Sequence, residues 1–351
     1  YIRYHNDYYG PSGEFVAEKH FHAHTNYLFQ MLEHAVAAGD PELLEFVNKS
    51  FNWAKSTESG ASDLTGFIPE FAKPYRTTEG CVVADMVALA LKLSHAGAGD
   101  YYQEAERWAR NYFIEMQLTK PKVDNLVRLG KKMEPKALLY NETDDRVAER
   151  NIGAFASWTT GNEWIGGDER SSDNLIMHCC TGNGARTIYY LWRHILDYEN
   201  GVLRINMLLN RASSWADIHS YIPYEGRVDV RVKTSCQQLM VHAPEWILSG
   251  GKEITALVDG KNRTFTWEER YLNLGSVLQG EVAEIRFPIQ ERVVKERLGL
   301  EDYDLIIKGN TVVSIDPPGR NCPLFQREHY REDQVRWRKV IRFVPDAVLS
   351  Y

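Results

Sequence analysis

Long apolar runs are absent from this sequence of 351 residues. The longest apolar stretch, residues 82–93, is interrupted by Asp85 and Lys92, whereas a membrane-spanning helix needs about 20 apolar residues. The sequence therefore predicts no membrane span. Neither sign of charge dominates, because 41 basic and 48 acidic side chains leave a formal net charge of −7. Without an excess of positive charge to attract phosphates, the sequence argues against nucleic acid as a partner.

Cysteine is scarce, and several common motifs are missing. Five cysteines are an odd number at low density, which argues against a disulfide-stapled secreted scaffold. The sequence does not determine the compartment, and a cytoplasmic or periplasmic location is preferred. The sequence has no phosphate-binding glycine loop and no Gly-x-Ser-x-Gly elbow, so nucleotide and serine-hydrolase chemistry are disfavoured. The chain begins with Tyr1 and not with Met, which indicates a fragment or a processed product.

The remaining composition is that of a globular protein, and its length suggests two domains. Up to residue 198, apolar residues return every three or four positions, which predicts helices over 27–38, 41–54, 81–93, 101–116 and 185–196. These segments predict antiparallel helical hairpins. Asp40 and Pro41 match a helix N-cap followed by proline in the first turn. Residues 56–78 and 120–174 are interpreted as long loops, which are often functional.

After residue 200 the pattern changes to short alternating segments, which is typical of strands. The predicted strands are 202–209, 228–232, 238–243, 254–258, 263–267, 271–274 and 282–287, with a further candidate at 305–315. The sequence thus predicts an α+β protein in which an antiparallel β-sandwich follows the helices. The predicted domains are 1–198, 199–295 and a C-terminal segment, 296–351, of uncertain fold.

Two cysteine-bearing segments are candidates for chemistry. Cys179 and Cys180 precede a helical pattern, and a helix N-terminus lowers the pKa of a thiol. Glu79 and Cys81 lie at the start of another predicted helix, so the two helix starts can converge. Three thiols and a carboxylate form a complete tetrahedral zinc set. The alternative is that these cysteines are ordinary buried residues, which is the interpretation for Cys236 and Cys322.

Histidines and one glutamate are the other candidates. His20, His22 and His24 alternate in a way that suits a strand or a ligand-lining loop, where they could bind metal or sugar hydroxyls. Glu70 is flanked by apolar residues, and burial would keep its carboxyl protonated as a general acid. The alternatives are a solvated loop glutamate and, as a second acid, Asp63.

Together these motifs resemble the zinc- and cysteine-dependent β-L-arabinofuranosidases over roughly residues 15–295. The family combines an (α/α)6 barrel with β-sandwich domains. Residues 179–186, Cys-Cys-Thr-Gly-Asn-Gly-Ala-Arg, resemble its Cys-Cys-x-x-Asn-x-Ala-Arg signature, and residues 79–81 resemble its Glu-x-Cys motif. Residues 22–25, His-Ala-His-Thr, resemble a substrate-binding His-Ala-Asn-Thr segment. A complete barrel has twelve helices and this sequence predicts five or six, so the resemblance implies about half of it.

The resemblance also implies roles. Glu79, Cys81, Cys179 and Cys180 would bind zinc, and Cys179 would also be the nucleophile of a retaining glycoside hydrolase. Glu70 would be the acid/base, although Pro69 replaces the family's glycine. His22 and His24 would contact the sugar.

The leading hypothesis is therefore an exo-acting β-L-arabinofuranosidase-like enzyme with a small carbohydrate substrate and a possible homodimeric state. Two alternatives remain open. One is a related hydrolase of another furanoside or of an acidic sugar. The other is a non-catalytic, zinc-stapled scaffold or carbohydrate-binding protein.

Overall fold

The computed structural model describes residues 8–16, 20–132, 137–166, 175–332 and 334–336. The chain forms two compact units. The first unit comprises Tyr1–Tyr189, Val293–Leu305 and Ser314–Gln326, and the second comprises Tyr190–Arg292, Ile306–Val313 and Arg327–Tyr351. Among the described residues, no helix combines the length and the apolar character that a membrane crossing needs.

Seven α-helices lie in the described part of the chain. They are α1 (Phe21–Ala38), α2 (Pro41–Ala54), α3 (Gly80–His95), α4 (Tyr102–Trp108), α5 (Lys120–Gly130), α6 (Val147–Arg150) and α7 (His178–His194). A π-helical turn, Ala109–Phe113, continues α4. α3 packs against α1, α2 and α4, and its residues from Gly80 to Leu91 are all buried. α3 is therefore the central helix of the first unit.

The junction between α1 and α2 confirms the predicted signals. α1 ends at Ala38, and the next residue, Gly39, adopts the left-handed conformation with φ +62 that favours glycine. Asp40 then caps α2, because its side chain accepts a hydrogen bond from the backbone N–H of Leu43 at 3.1 Å. Pro41 occupies the first turn, where its missing N–H is not needed. The helix pair is thus fixed by local sequence.

Two predictions about the helical part are wrong. α1 begins at Phe21 and not at residue 27, so His22 and His24 lie in a helix and not in a strand or loop. Apolar contacts decide this start, since Phe21 is completely buried. Residues 120–130, predicted as loop, form α5, which follows Thr119 and has proline in its first turn. This helix was missed because it is short, contains proline and glycine, and has only four aliphatic residues to mark a helical period, Val123, Leu126, Val127 and Leu129.

The sequence also predicts short strands, and sixteen are found among the described residues. β1 (Thr78–Glu79) and β2 (Trp158–Thr159) pair with each other in the first unit. The second unit contains β3 (Leu196–Glu199), β4 (Val202–Ile205), β5 (Arg211–Ala212), β6 (Ala216–Ser220), β7 (Arg227–Val232), β8 (Gln238–His242), β9 (Thr255–Val258), β10 (Lys261–Asn262), β11 (Thr266–Glu268), β12 (Tyr271–Asn273) and β13 (Val282–Arg286).

These strands of the second unit form two sheets, with the orders β10-β9-β13-β7-β6-β5 and β11-β12-β8-β4-β3. Residues alternate between buried and half-buried along β6 and most of β13, as expected for sheets that bury one face in a sandwich core. All but one of the described pairings in these sheets are antiparallel, the exception being the parallel pair β4 and β8. The α+β class and the sandwich are therefore confirmed.

The last strands correct another prediction. The strand predicted over 305–315 is two strands, β15 (Glu301–Lys308) and β16 (Thr311–Asp316), which form a three-stranded sheet with β14 (Glu291–Leu298) in the order β14-β15-β16. Gly309 interrupts the apolar run, and its φ of +63 creates the turn between β15 and β16. Much of the segment left without a predicted fold is thus β-structure, while residues 337–351 lie outside the described part.

Candidate active site

Glu79 and Cys81 are positioned where a short strand turns into α3. Glu79 pairs with Trp158 across β1 and β2, and α3 begins at the next residue, Gly80. A Cβ atom at Gly80 would lie 2.3 Å from the carbonyl oxygen of Ala156, so only glycine fits this approach. The carboxylate of Glu79, at the end of β1, and the thiol of Cys81, in the first turn of α3, therefore lie close together.

The other two cysteines come from α7. This helix begins at His178, so Cys179 and Cys180 lie in its first turn and not in a loop before it. Gly184, one turn further along, allows close packing because a Cβ there would lie 2.4 Å from the ring of Phe155. The first turn of α7 therefore approaches the start of α3.

The four predicted ligands meet in one cluster. Their ligand atoms all lie within 4.8 Å of one another. The sulfur of Cys180 lies 3.3 Å from that of Cys81 and 3.9 Å from that of Cys179. It also lies 3.8 Å from Oε1 of Glu79. Residues about 100 positions apart in the sequence are thus brought together as the sequence predicts.

Only one of the four residues of the cluster is partly exposed to solvent. Cys81 and Cys180 are completely buried and Glu79 is nearly so, whereas Cys179 is partly exposed. A nucleophile must be reachable by its substrate, and a structural ligand need not be. Cys179 is therefore the cysteine of this cluster best placed to react.

The expectation that the helix N-terminus lowers the pKa of Cys179 is wrong. Burial and the neighbouring sulfur of Cys81 raise the pKa of Cys179. The hydrogen bond to Cys180 and burial raise the pKa of Cys81 far more strongly. Repulsion between neighbouring negative charges adds to these effects, because a charge on one sulfur disfavours a charge on the next. Cys81 and Cys179 therefore resist ionisation when no positive charge lies beside them.

The donor set nevertheless suits a zinc ion. Thiolate sulfur and carboxylate oxygen are ligands that Zn²⁺ accepts, four of them complete a tetrahedral site, and a divalent cation inverts the local pKa order. Clustering three thiols and an acid in a buried place is unfavourable without such a charge. The chemistry of this cluster therefore fits a bound metal ion.

His20 contacts the carboxylate of the cluster. Its Nε2 donates a hydrogen bond to Oε2 of Glu79 at 2.8 Å, while Oε1 faces Cys180. This bond is the main cause of the raised pKa of His20. Burial opposes ionisation of Glu79, but the bond from His20 and the charges of His22 and His20 outweigh it and hold the pKa of Glu79 below its usual value. Glu79 is thus ionised and oriented by His20, which the sequence suggested as a metal or sugar ligand and not as a partner of this carboxylate.

His22 lies beside the same cluster. Its Nδ1 donates a hydrogen bond to Oδ2 of Asp85 at 2.8 Å. Burial alone would lower the pKa of His22, but its hydrogen bonds to Asp85 and to Cys81 raise the pKa to about 10. The contact that the resemblance implies between His22 and a sugar stays a prediction.

His24 has a different environment. Its side chain is only 1% exposed, and its ring stacks on Phe15 with centroids 4.3 Å apart. Tyr9 packs edge-on against it at 5.0 Å. Successive residues of a helix are rotated by about 100°, so His22 and His24 face different sides of α1. The implied substrate contact of His24 is thus disfavoured, because the ring belongs to the core.

Glu70 is buried in a loop that leads towards the cluster. Its side chain is 2% exposed, and one carboxylate oxygen accepts a hydrogen bond from the hydroxyl of Thr77 at 2.9 Å. Its carbonyl oxygen accepts a hydrogen bond from the N–H of Phe21 at the start of α1. The burial contradicts a solvated loop glutamate. The rival acid, Asp63, is instead paired with Arg107 at 3.0 Å.

Asp85, Thr25 and Arg186 are the residues that sequence reasoning missed. Oδ2 of Asp85 accepts a hydrogen bond from Thr25 at 2.8 Å, and Oδ1 accepts one from Arg186 at 2.9 Å. The available signal was an acidic residue inside an apolar helix, since Asp85 interrupts residues 82–91. A buried charge of this kind is normally paired with hydrogen-bond donors or opposite charges that offset the cost of burying it.

Comparisons with known proteins show which solved structures share this fold. No protein-family model matches the sequence, and no curated protein does. Among solved structures, this chain is similar to a GH127 β-L-arabinofuranosidase from Geobacillus stearothermophilus T6, with a TM-score of 0.56 and 14% sequence identity. The match covers 84% of this chain and 46% of the arabinofuranosidase chain. A second GH127 β-arabinofuranosidase matches 88% and 50%, with a TM-score of 0.57 and 15% identity. The chain shares the fold of GH127 β-L-arabinofuranosidases.

A third solved structure, described as a glycoside hydrolase, gives a TM-score of 0.55 at 13% identity, with 84% of this chain and 51% of the other covered. The fold resemblance inferred from the sequence motifs is thus confirmed. This chain spans about half the length of the structures that it matches.

Proposed function

We propose that this chain carries the catalytic site of a retaining glycoside hydrolase of the β-L-arabinofuranosidase type. The observation that supports the proposal most is the cluster of Glu79, Cys81, Cys179 and Cys180, in which one sulfur is accessible and the others are buried. A structural metal site has no need of an accessible thiol. The shared fold with solved β-L-arabinofuranosidases supports the same reaction class.

Glu79, Cys81, Cys179 and Cys180 would hold a zinc ion in this proposal. When bound, zinc would supply the positive charge that keeps the crowded thiols ionised and their sulfur atoms in place. His20 keeps the carboxylate of Glu79 turned, with one oxygen towards His20 itself and the other towards Cys180.

In the first half of the reaction, the Cys179 sulfur attacks the anomeric carbon and forms a carbon–sulfur bond. The glycosidic carbon–oxygen bond breaks, and Glu70 gives its proton to the departing oxygen. In the second half, water attacks the same carbon and transfers a proton to Glu70. The carbon–sulfur bond then breaks and restores the thiolate, so that two inversions retain the configuration.

Substitution of Cys179 tests the proposal. Cys179→Ala should lower kcat for an aryl β-L-arabinofuranoside by roughly 1,000-fold or more, because the covalent route is lost. Cys236→Ala is the matched control, since Cys236 is a buried cysteine of the second unit that lies outside the cluster. The measurement is steady-state turnover of the full-length protein, with its zinc content determined in parallel.

Glu70→Gln supplies a second arm of the same experiment. Loss of a general acid costs about 10²- to 10⁴-fold and matters most for poor leaving groups. The variant should therefore lose more activity on a disaccharide than on a nitrophenyl glycoside. A panel that includes other furanosides and uronides distinguishes the related hydrolases. Wild-type protein that binds zinc but cleaves none of them would leave only the scaffold alternative.

A further inference from the structure

Asp85 is a buried acid in the most apolar helix of the first unit. Its side chain is 1% exposed, and the residues around it in α3 are buried and mostly aliphatic. An isolated carboxylate would be costly there. Its two oxygens instead accept three hydrogen bonds, from His22 and Thr25 on α1 and from Arg186 on α7. Asp85 therefore joins three helices at one point.

Asp85 lies close to the cysteine cluster. Asp85 follows Cys81 by four residues in α3, so both side chains lie on the same face of the helix, one turn apart. His22, from α1, contacts both. It donates from Nδ1 to Asp85 at 2.8 Å, and its ring lies close enough to the sulfur of Cys81 for the two groups to interact. The three side chains form a chain from carboxylate to imidazole to sulfur.

Arg186 and Thr25 explain why the carboxylate itself is fixed. Arg186 approaches Oδ1 at 2.9 Å and its guanidinium also stacks over the ring of Phe29, with its central carbon 4.7 Å from the centroid. Thr25 holds Oδ2, the same oxygen that His22 contacts. Both oxygens are thus tied, and the carboxylate cannot rotate away from His22 without breaking other bonds.

We propose that Asp85 is a positioning residue which, through His22, holds the Cys81 sulfur in place and thereby sets the affinity of the four-residue cluster for its metal ion. This inference rests on the metal site of the proposed function. Hydrogen bonds of this outer kind typically change metal affinity by 10- to 100-fold when they are removed. Asp85 touches neither the substrate nor the metal, and acts only through His22.

Metal affinity and spectroscopy of the full-length protein test the inference. Asp85→Asn keeps the shape of the side chain but removes its charge and replaces one acceptor with a donor, which cannot satisfy both His22 and Arg186. We expect its dissociation constant for zinc, measured by chelator competition, to rise by about 10- to 100-fold. With cobalt(II) in place of zinc, its thiolate-to-metal absorption should shift relative to wild type.

His22→Phe keeps a ring but removes both ring nitrogens, and it leaves Asp85 bonded to Thr25 and Arg186. It should weaken zinc binding to a similar extent, and the double variant should bind no more weakly than the weaker single one, because both changes break the same chain. Thr187→Val is the matched control. It removes a buried threonine hydroxyl that donates a hydrogen bond from α7 to the carbonyl oxygen of Ala84 on α3 at 3.0 Å and does not bond Asp85, and its affinity should stay within about threefold of wild type.

Unchanged zinc affinity and an unchanged cobalt spectrum in Asp85→Asn or in His22→Phe would overturn the inference. Additive losses in the double variant would also overturn it, since they indicate that Asp85 acts apart from His22. If Asp85→Asn fails to fold, which metal-free thermal unfolding reveals, His22→Phe decides the question alone.

The result is separable from the proposed function. Wild-type protein that binds metal and shows the coupling, but cleaves no glycoside, refutes the function alone. Normal turnover with unchanged metal affinity in the variants refutes this inference alone.

Discussion

A side chain at position 80 has no room, because a Cβ there would lie 2.3 Å from the oxygen of Ala156 and 3.2 Å from the Cβ of Cys180. Both contacts involve atoms that are fixed by backbone geometry. Any larger residue therefore pushes the start of α3 away from α7. Since Glu79 and Cys81 flank this glycine, the cluster itself would open.

Gly80→Ala should thus lower the free energy of unfolding by about 1–3 kcal/mol and reduce the zinc content of purified protein. Gly130→Ala is the control, because no atom lies within 4 Å of a Cβ at that helical position. The control should be neutral or slightly stabilising. Chemical denaturation and metal analysis measure both effects, and full zinc loading of Gly80→Ala would contradict the steric argument.

Cys322 is a second residue whose surroundings predict a measurable effect. It is completely buried, and burial raises the pKa of its thiol to about 11 from an ordinary value of 9.0. Below about pH 9 the thiol is protonated in both the folded and the unfolded chain, so its contribution to stability is complete. Above that pH the unfolded chain ionises first. The free energy of unfolding should therefore fall as the pH rises from about 9 to about 11.

Cys322→Ala should remove this part of the pH dependence. Between about pH 8 and about pH 10, wild type should lose about 1 kcal/mol more than the variant does. Urea denaturation at both pH values measures the difference, and the losses common to both proteins cancel. Parallel pH profiles would show that Cys322 does not titrate on unfolding.

At the level of elements, the two histidines of α1 have different surroundings. His22 faces Asp85 and the cysteine cluster, whereas His24 stacks on Phe15 in the core. His24→Leu should therefore cost roughly 1–2 kcal/mol of stability through lost ring packing. Its kcat and KM should stay within about twofold of wild type, as measured on the best glycoside of the panel. A KM that rises tenfold would restore His24 as a sugar ligand.

The same helix shows what the sequence can and cannot predict. The bounds of α2 follow from the sequence, because Asp40 and Pro41 act locally. The start of α1 does not, since the alternation of His20, His22 and His24 is equally compatible with a strand, and burial of Phe21 decides it. α5 was not predicted because it is a short segment whose four aliphatic residues give only a brief helical period.

Some features of the candidate site were likewise predictable from the sequence, and others were not. The residue types alone suggested that Glu79, Cys81 and the pair at 179–180 could converge as a zinc set, and the motif resemblance favoured this over ordinary buried cysteines. No local pattern reveals contacts between residues about 100 positions apart. Asp85 could not be assigned from the sequence, since a single acid in an apolar helix has no meaning until its partners on α1 and α7 are known. The raised pKa values of Cys81 and Cys179 likewise depend on burial and on contacts between sulfurs that only the folded chain creates.

At the scale of the whole molecule, all four ligands of the cluster belong to the first compact unit, and the two large sheets belong to the second. A metal ion that binds only folded protein stabilises it by about 1.4 kcal/mol for each tenfold rise in free metal above the dissociation constant. The stabilisation should act on the elements that supply the ligands. Zinc should therefore protect the two units unequally.

Hydrogen exchange followed by mass spectrometry measures this difference. Zinc should slow exchange in peptides from α3 and from the first turns of α7, and should leave peptides from β6 and β7 nearly unchanged. The control is Cys180→Ser, which keeps a small polar side chain but removes a buried sulfur from the centre of the cluster, so zinc should no longer protect α3. Equal protection of both units in wild type would indicate that their opening is a single cooperative event, and protection that survives in Cys180→Ser would place the metal elsewhere.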